Sequence, residues 1–353
     1  MAKKSEEKPE FKNFEAILDL PERLAQNLRL LFHVSKADWD FMLDKVRQGK
    51  PYTEWRKSKG PGKGYRYFAS PCDELKMVQT KVLNQFLSQI PIHFSRHGGT
   101  KGSSIFTNAE RHLGFAKTLF AVDIVDAYPS VFRSRVRACL NKPLQFALKQ
   151  FDGVELSKED KELMLEAIVD LLVWNDRLPQ GPPTSPRVFN IVCMKMDRGL
   201  FKLISQSSTA VQEYRLTIYS DNITISSDEN IPLEVQGEII KIIQKNGFPT
   251  HTRRDKMTYY SPETGTVPVI TGLVLTEDGR MLMHSDKVNQ LRGKLHNLNE
   301  KDAWTSEEKG EAAGTIGFIR QLYPKGSKLP SKLAKVVPKT EEMLKANAEA
   351  EVQ

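Results

Sequence analysis

The stretch Leu216-Thr217-Ile218-Tyr219-Ser220-Asp221-Asn222-Ile223-Thr224-Ile225-Ser226 constrains the chain most. Apolar and polar residues alternate, break at Ser220-Asp221-Asn222, and alternate again. That is the period of two half-buried strands joined by a tight turn. A carboxylate held there, Asp221, costs free energy unless a cation is near. A second acid has the same placement. Thr118-Leu119-Phe120-Ala121-Val122 reads as a buried strand, Asp123 ends it, and Pro129 stops the ladder. Either aspartate alone is an ordinary strand end. On two strands of one sheet they would repel, and the pair is stable as a dianion only around a divalent cation. Oxygen donors without Cys or His favour magnesium or manganese, and two such ions suit phosphoryl transfer.

A chain of 353 residues holds two or three domains, or one large fold with subdomains. Lys and Arg number 52 against 44 Asp and Glu, a net charge of +8, which favours a polyanionic partner without requiring one. Cys72, Cys139 and Cys193 are scattered. They form neither a disulfide framework nor a zinc pattern and suit a reducing cytosol. No secretory leader is expected from the charged start Met1 to Glu10, and no apolar cluster is long enough to span a bilayer. The expected location is cytoplasmic, away from membranes.

Taken in order, residues 1 to about 12 read as a solvated tail. Ile17, Leu20, Leu24, Leu28 and Leu31 recur at helical spacing, giving two helices with a break near Ser35-Lys36. Residues 54–64 form a glycine-rich basic loop before a short strand around Tyr65 to Ala69. Such a loop either wraps a phosphate or stays solvated. Phe94 to Ser104 reads as a second flexible basic segment. Ser157 with Asp160 resembles a capping box ahead of a helix. Leu178 to Pro186 is a rigid loop opening onto a helix from Arg187. Ile231 to Asn246 is an amphipathic helix stopped by Gly247. A β-rich stretch runs from Val267 to Leu275, and residues 283 to about 325 read as helical and basic.

The order of four segments carries a family resemblance. Asp123-Ile124-Val125-Asp126-Ala127-Tyr128-Pro129-Ser130 resembles the first catalytic motif of reverse transcriptases. Leu178-Pro179-Gln180-Gly181-Pro182-Pro183-Thr184-Ser185-Pro186 resembles their Leu-Pro-Gln-Gly-Ala-Pro-Thr-Ser-Pro motif, with Pro182 for alanine. Tyr219-Ser220-Asp221-Asn222 is similar to their Tyr-X-Asp-Asp box, and Gly247-Phe248 with Lys256 to the motif that follows it. Two further segments point to the retron-type bacterial reverse transcriptases: Asn108-Ala109-Glu110-Arg111-His112, similar to their Asn-Ala-X-X-His signature, and Ile270-Thr271-Gly272, similar to Val-Thr-Gly. Tyr65 to Pro71 followed by Leu75-Lys76 resembles their fingers motif. The resemblance covers roughly residues 54 to 325.

The resemblance implies an α+β right-hand polymerase fold. Residues 1–53 would be an N-terminal helical extension, 54–117 the fingers, and 118–275 a palm with an antiparallel sheet and a finger insertion at 133–177. Residues 276–337 would be a helical thumb and 338–353 a polar tail. It also implies an RNA-directed DNA polymerase using two magnesium or manganese ions and deoxynucleoside triphosphates. Asp123 and Asp221 would bind both ions, the Ile124 carbonyl would complete one site, and Asn222 would ligate weakly. Lys256 would act near the pyrophosphate as a proton donor. Arg66 and Lys63 would hold the triphosphate, Tyr128 would reject a ribose 2′-OH, and Gln180 and Gly181 would line the nascent base pair. RNA recognition would fall to Asn108, His112, Ile270, Thr271 and Gly272, and to thumb cations including Lys287, Arg292 and Lys294.

The implied partners are a structured non-coding RNA, primed from one of its own 2′-OH groups, its DNA product, and a separate effector protein in phage defence. The departure is Asn222, where the family has a second aspartate. Loss of that charge implies weaker metal binding. It leaves open a catalytically weakened RNA-binding scaffold, beside a reverse transcriptase of another defence or group II intron-like lineage.

Overall fold

The computed structural model describes residues 13–60, 62, 64–149, 156–250, 257–264 and 267–350. Lys63 and Lys256, two expected site residues, lie outside them. The described residues fall into two compact units, one within 1–104, 120–225 and 231–258, the other within 105–119, 226–230 and 259–353.

The first unit opens with α1 (Glu15–Leu18), α2 (Glu22–Phe32) and α3 (Lys36–Arg47). Leu24, Leu28 and Phe32 form the buried stripe of α2. The expected break at Ser35 is an N-cap: its hydroxyl accepts from the Asp38 amide at 3.1 Å. An antiparallel hairpin follows, β1 (Tyr52–Ser58) and β2 (Tyr65–Pro71), with Trp55 opposite Phe68 and Lys57 opposite Arg66. The loop expected from residue 54 is thus largely a strand. Its polar residues hide the alternation, and the flat stack of Trp55 on Phe68, 4.2 Å between centroids, supplies the missing apolar contact.

Then come α4 (Asp73–Gln85), α5 (Ile105–Glu110), which belongs to the second unit, β3 (Thr118–Asp123), α6 (Arg133–Leu148) and α7 (Lys158–Leu172). The capping box at Ser157 and Asp160 forms in full. Arg133 pairs with Glu166 and Asp170, and Arg137 with Glu162 and Glu166, joining α6 to α7. The helix α8 (Ser185–Ser207) has Pro186 in its first turn, where a missing amide costs nothing. The hairpin read from the alternation is β4 (Tyr214–Tyr219) and β5 (Asn222–Ser227), and α9 (Leu233–Lys245) ends before Gly247 at φ 74°. With β6 (Met257–Tyr260) a four-stranded sheet runs β4-β5-β3-β6.

The second unit adds an antiparallel meander, β7 (Val269–Ile270), β8 (Leu273–Leu275) and β9 (Met281–Met283). Three helices follow: α10 (Ser285–Asn299), α11 (Ser306–Leu322) and α12 (Val336–Ala350). Leu291, Leu295, Ile319, Leu333 and Val337 form their common core. Of the stretch from 338 expected as a polar tail, Thr340, Met343 and Leu344 instead pack among these helices. Thr340 is fully buried, and its hydroxyl donates to the Asn299 side chain at 2.8 Å. Among the described residues no helix is long and apolar enough to cross a membrane.

Candidate active site

The β4–β5 hairpin closes through Ser220 and Asp221. Ser220 has φ 58°, a left-handed conformation that is strained for a residue with a side chain. This turn meets the end of β3 by two routes. The Ile124 amide donates to the Asp221 carbonyl at 3.1 Å, and the Asn222 side-chain nitrogen donates to the Asp123 carboxylate at 2.8 Å. Val125 and Ile124 are anchored on the other side by the Pro249 carbonyl at 2.8 Å and a bridge to Thr250. The two acids separated by 97 intervening residues thus share one edge of the first unit.

Their environments differ. Asp123 is exposed and Asp221 is half-buried. Burial pushes the Asp221 carboxyl above its ordinary range. Its own backbone hydrogen bond opposes that rise, the Asp123 charge adds to it, and Arg66 and Arg96 counter it. This is the expected like-charge pair, and its donor set is all oxygen. Among the described residues no group of three or more His, Cys, Asp or Glu gathers to hold a metal. Two carboxylates with a main-chain carbonyl between strands fit a hard divalent cation that keeps other ligands from water or substrate.

Asn222 is hydrogen-bonded at both ends of its amide. An ionised Asp123 only accepts, so the Asn222 nitrogen must face it. The Asn222 oxygen is then taken by the Thr224 hydroxyl at 2.8 Å. The first of these bonds orients Asp123, and the amide oxygen keeps a second lone pair. Asp126, the other acid of the first motif, is exposed at φ 44° and lies 3.6 Å from the Lys59 ammonium.

Tyr128, Arg66, Gln180 and Gly181 lie in the same unit as the pair. Tyr128 packs on Phe189, with centroids 5.3 Å apart. Burial raises its phenol above the ordinary range, against a hydrogen bond with the Ser220 side chain. Arg66 is exposed on β2, close enough for its charge to act on Asp221. The Gln180 carbonyl accepts from the Ala69 amide at 2.8 Å. Gly181 has φ 135°, and a Cβ there would stand 2.4 Å from the Ala69 carbonyl oxygen, so only glycine lets the loop meet β2. Beside them a cavity of about 420 Å³ is lined by Arg56, Tyr67, Pro129, Trp174, Arg177 and Gln180 among others.

The residues expected to recognise RNA gather in the second unit, but not all on its surface. Asn108 and His112 are fully buried. His112 Nδ1 lies 2.6 Å from the Ser226 hydroxyl, and both polar atoms of the Asn108 amide lack a hydrogen-bond partner among the described residues. Direct RNA contact by these two side chains is therefore replaced by an interior position. Ile270 is buried in β7, while Thr271 (φ 49°) and Gly272 (φ 83°) form the half-exposed turn to β8. Of the α10 cations, Lys294 pairs with Glu311 at 2.8 Å, Lys287 lies 5.5 Å over the Phe318 ring, and Arg292 is exposed.

The segment Phe94 to Ser104, expected to be flexible, contains residues the sequence reading missed. Arg96 is buried and its guanidinium reaches the Ser220 carbonyl at 3.0 Å. Only the hydrophilic composition was visible. Its neutralising partner Asp197 lies 101 positions away on α8.

No family model matches the chain. It is 30% identical over 329 residues to the retron Mx162 reverse transcriptase of Myxococcus xanthus, an alignment covering 87% of this chain and 64% of that protein. It is 24% identical over 290 residues to the retron Ec73 reverse transcriptase of Escherichia coli, covering 80% and 87%. It is 25% identical over 319 residues to the retron Ec86 reverse transcriptase of the same species, covering 88% and 87%. The chain thus spans less than two thirds of the Myxococcus protein and most of both Escherichia proteins. A telomerase structure from Candida albicans with a fragment of telomeric RNA aligns at a TM-score of 0.41 and 11% identity, covering 85% of this chain and 59% of that one.

Proposed function

We propose, from the premise that this chain belongs with the retron reverse transcriptases, that it is an RNA-directed DNA polymerase copying a structured non-coding RNA. The observation that carries the reading is the coupling of Asp123 to the Asp221 turn through Asn222 and Ile124. It brings two sequence motifs to one edge with an uncompensated pair of acids. Tyr128, from the first of these motifs, and Gln180 and Gly181, from a third, stand in the same unit.

In this reading Asp123 and Asp221 hold two divalent ions, magnesium or manganese. Such ions activate an attacking hydroxyl and stabilise a leaving phosphate oxygen when bound. Asn222 keeps the Asp123 carboxylate aimed at that site. Arg66 neutralises the triphosphate of the incoming deoxynucleotide. Tyr128, wedged on Phe189, fills the space a ribose 2′-OH would need. The glycine at 181 lets the backbone pack closely beneath the nascent pair, and the cavity beside Gln180 has room for an unpaired template base. Lys256, outside the described residues, is assigned the leaving-group proton. The exposed Arg292 and the Thr271-Gly272 turn are the surfaces assigned to the RNA, by charge and shape. Priming from an RNA 2′-OH, a cytoplasmic role in phage defence and a separate effector complete the reading by kinship with the family.

Purified protein given an RNA template, deoxynucleotides and magnesium or manganese should extend a primer, and Asp221→Ala should not. Full incorporation by Asp221→Ala overturns the reading. Nucleic acid recovered with the protein should carry a 2′–5′ branch that resists RNase and yields to debranching. Linear nucleic acid alone would leave the polymerase and remove the 2′-OH priming.

A further inference from the structure

The strand-like segment Ser95–Gly98 runs along the outer side of the hairpin. Arg96 pairs with Ile218 in parallel, the Ile218 amide donates to the Ser95 carbonyl, and the His97 amide donates to the Ile218 carbonyl, each at 2.8 Å. The Arg96 side chain and that of Asp197 are both completely excluded from solvent. Nε and Nη2 of Arg96 donate to the two Asp197 oxygens at 2.7 and 2.9 Å. Nη1 donates to the Asn190 side-chain oxygen at 3.1 Å and to the Ser220 carbonyl at 3.0 Å. Asn190 in turn donates to the Gly98 carbonyl at 2.8 Å. Gly98 lies against the turn itself: a Cβ there would stand 2.2 Å from the Ser220 amide nitrogen.

A buried ion pair of this kind adds little net stability, because removing both charges from water costs about what their attraction returns. What the planar guanidinium adds is direction. Its fork is locked onto Asp197, leaving the remaining nitrogen aimed at one peptide. That peptide is the left-handed one from which Asp221 departs. We propose that Arg96, held by Asp197 and Asn190 of α8, is a positioning residue for the reaction: it fixes the Ser220 peptide and so the direction of the Asp221 carboxylate. The inference rests on the polymerase reading of the Asp123–Asp221 pair.

The test separates positioning from stability. Arg96→Met combined with Asp197→Leu removes both charges and the bond to Ser220, a replacement that buried pairs commonly tolerate. Thermal melting without metal, kcat and KM for a deoxynucleotide on an RNA template, and manganese affinity by electron paramagnetic resonance are measured. The double variant is expected to melt within a few degrees of wild type. Its KM should change by less than about threefold, kcat should fall about 10- to 100-fold, and manganese should bind several-fold more weakly. Asn190→Ala, which leaves the ion pair intact, should show the same pattern more weakly, and it decides the matter if the double variant does not fold. Wild-type kcat and manganese affinity in a folded variant overturn the proposal, as does a loss of kcat that tracks melting temperature alone. Wild-type protein that binds manganese without incorporating nucleotide would fail the polymerase reading instead, and the manganese arm would still report on the turn.

Discussion

The hairpin turn and the α10–α12 helices are both rich in charge, and they arrange it in opposite ways. On the helices the cations are largely answered within the unit. Lys294 meets Glu311, Arg320 meets Glu341 in a two-bond fork, and Lys301 meets Glu308. Such partly exposed pairs contribute little to stability and hold side chains still. At the turn the acids are not answered. Among the described residues Asp123 makes no ion pair, and its hydrogen bond is to a neutral amide. Asp221 is pushed toward protonation by burial and by Asp123, with Arg66 and Arg96 only countering part of it. A charge paired internally is structural, and a charge left over points to a ligand. The leftover charges are the acids of the turn and, on α10, the exposed Arg292.

The largest effect expected from that contrast is at Asp221. Asp221→Ala should lower single-nucleotide incorporation by about 10³-fold or more, since charge stabilisation by bound metal is worth several kcal/mol. Stability should move the other way. A carboxyl whose folded pKa is raised stabilises the fold while protonated, and that contribution is lost as pH rises through the window above its ordinary value. Asp221→Asn removes this penalty, so metal-free protein near pH 7 should melt no lower than wild type. For the same reason manganese affinity of the wild type should rise with pH across that window. A destabilised Asp221→Asn protein would show that the acid is a structural partner and break the contrast.

Tyr128→Ala comes next. It should narrow discrimination against ribonucleotides by about 100-fold in ratios of kcat/KM. Unchanged selectivity would place the sugar elsewhere. Asn222→Asp should lower the magnesium concentration giving half-maximal incorporation by roughly tenfold, because it adds charge to the site, while depressing metal-free melting through repulsion with Asp123. The smallest effects belong to the helices. Arg292→Ala should weaken RNA binding a few-fold and reduce the slope of log affinity against log salt by just under one. Lys294→Ala, already answered by Glu311, should leave that slope unchanged. A larger slope change at Lys294 than at Arg292 would reverse the comparison.

Motif chemistry was legible because it depends on residue identity in order along the chain. Asp123, Tyr128, Gln180-Gly181 and Asp221 all fall in the first unit, as a shared site requires. The hairpin itself followed from alternation alone. Three things did not show in the sequence. The strand β1 carries Thr53, Glu54, Arg56 and Lys57, and reads as loop because its apolar contact is a single cross-strand stack. Asn108 and His112 looked like surface readers, because a signature gives identity without burial. The end of α12 looked like a tail because its buried Thr340 is polar, and its partner Asn299 lies 41 residues earlier.

By itself the sequence determined the local periods, the turn at Ser220-Asp221 and the resemblance to reverse transcriptases. These are properties of short windows, where sterics and hydrophobic alternation act between near neighbours. The tertiary structure alone decided how charges are matched. Asn222 donates through its nitrogen to Asp123, 99 positions away in the chain, and accepts from Thr224 through its oxygen. Arg96 is buried and bonded to the Ser220 carbonyl rather than part of a flexible basic loop, because α8 brings Asp197 within 2.7 Å. Coulomb attraction and hydrogen bonding depend on distance through space, which a linear order does not carry.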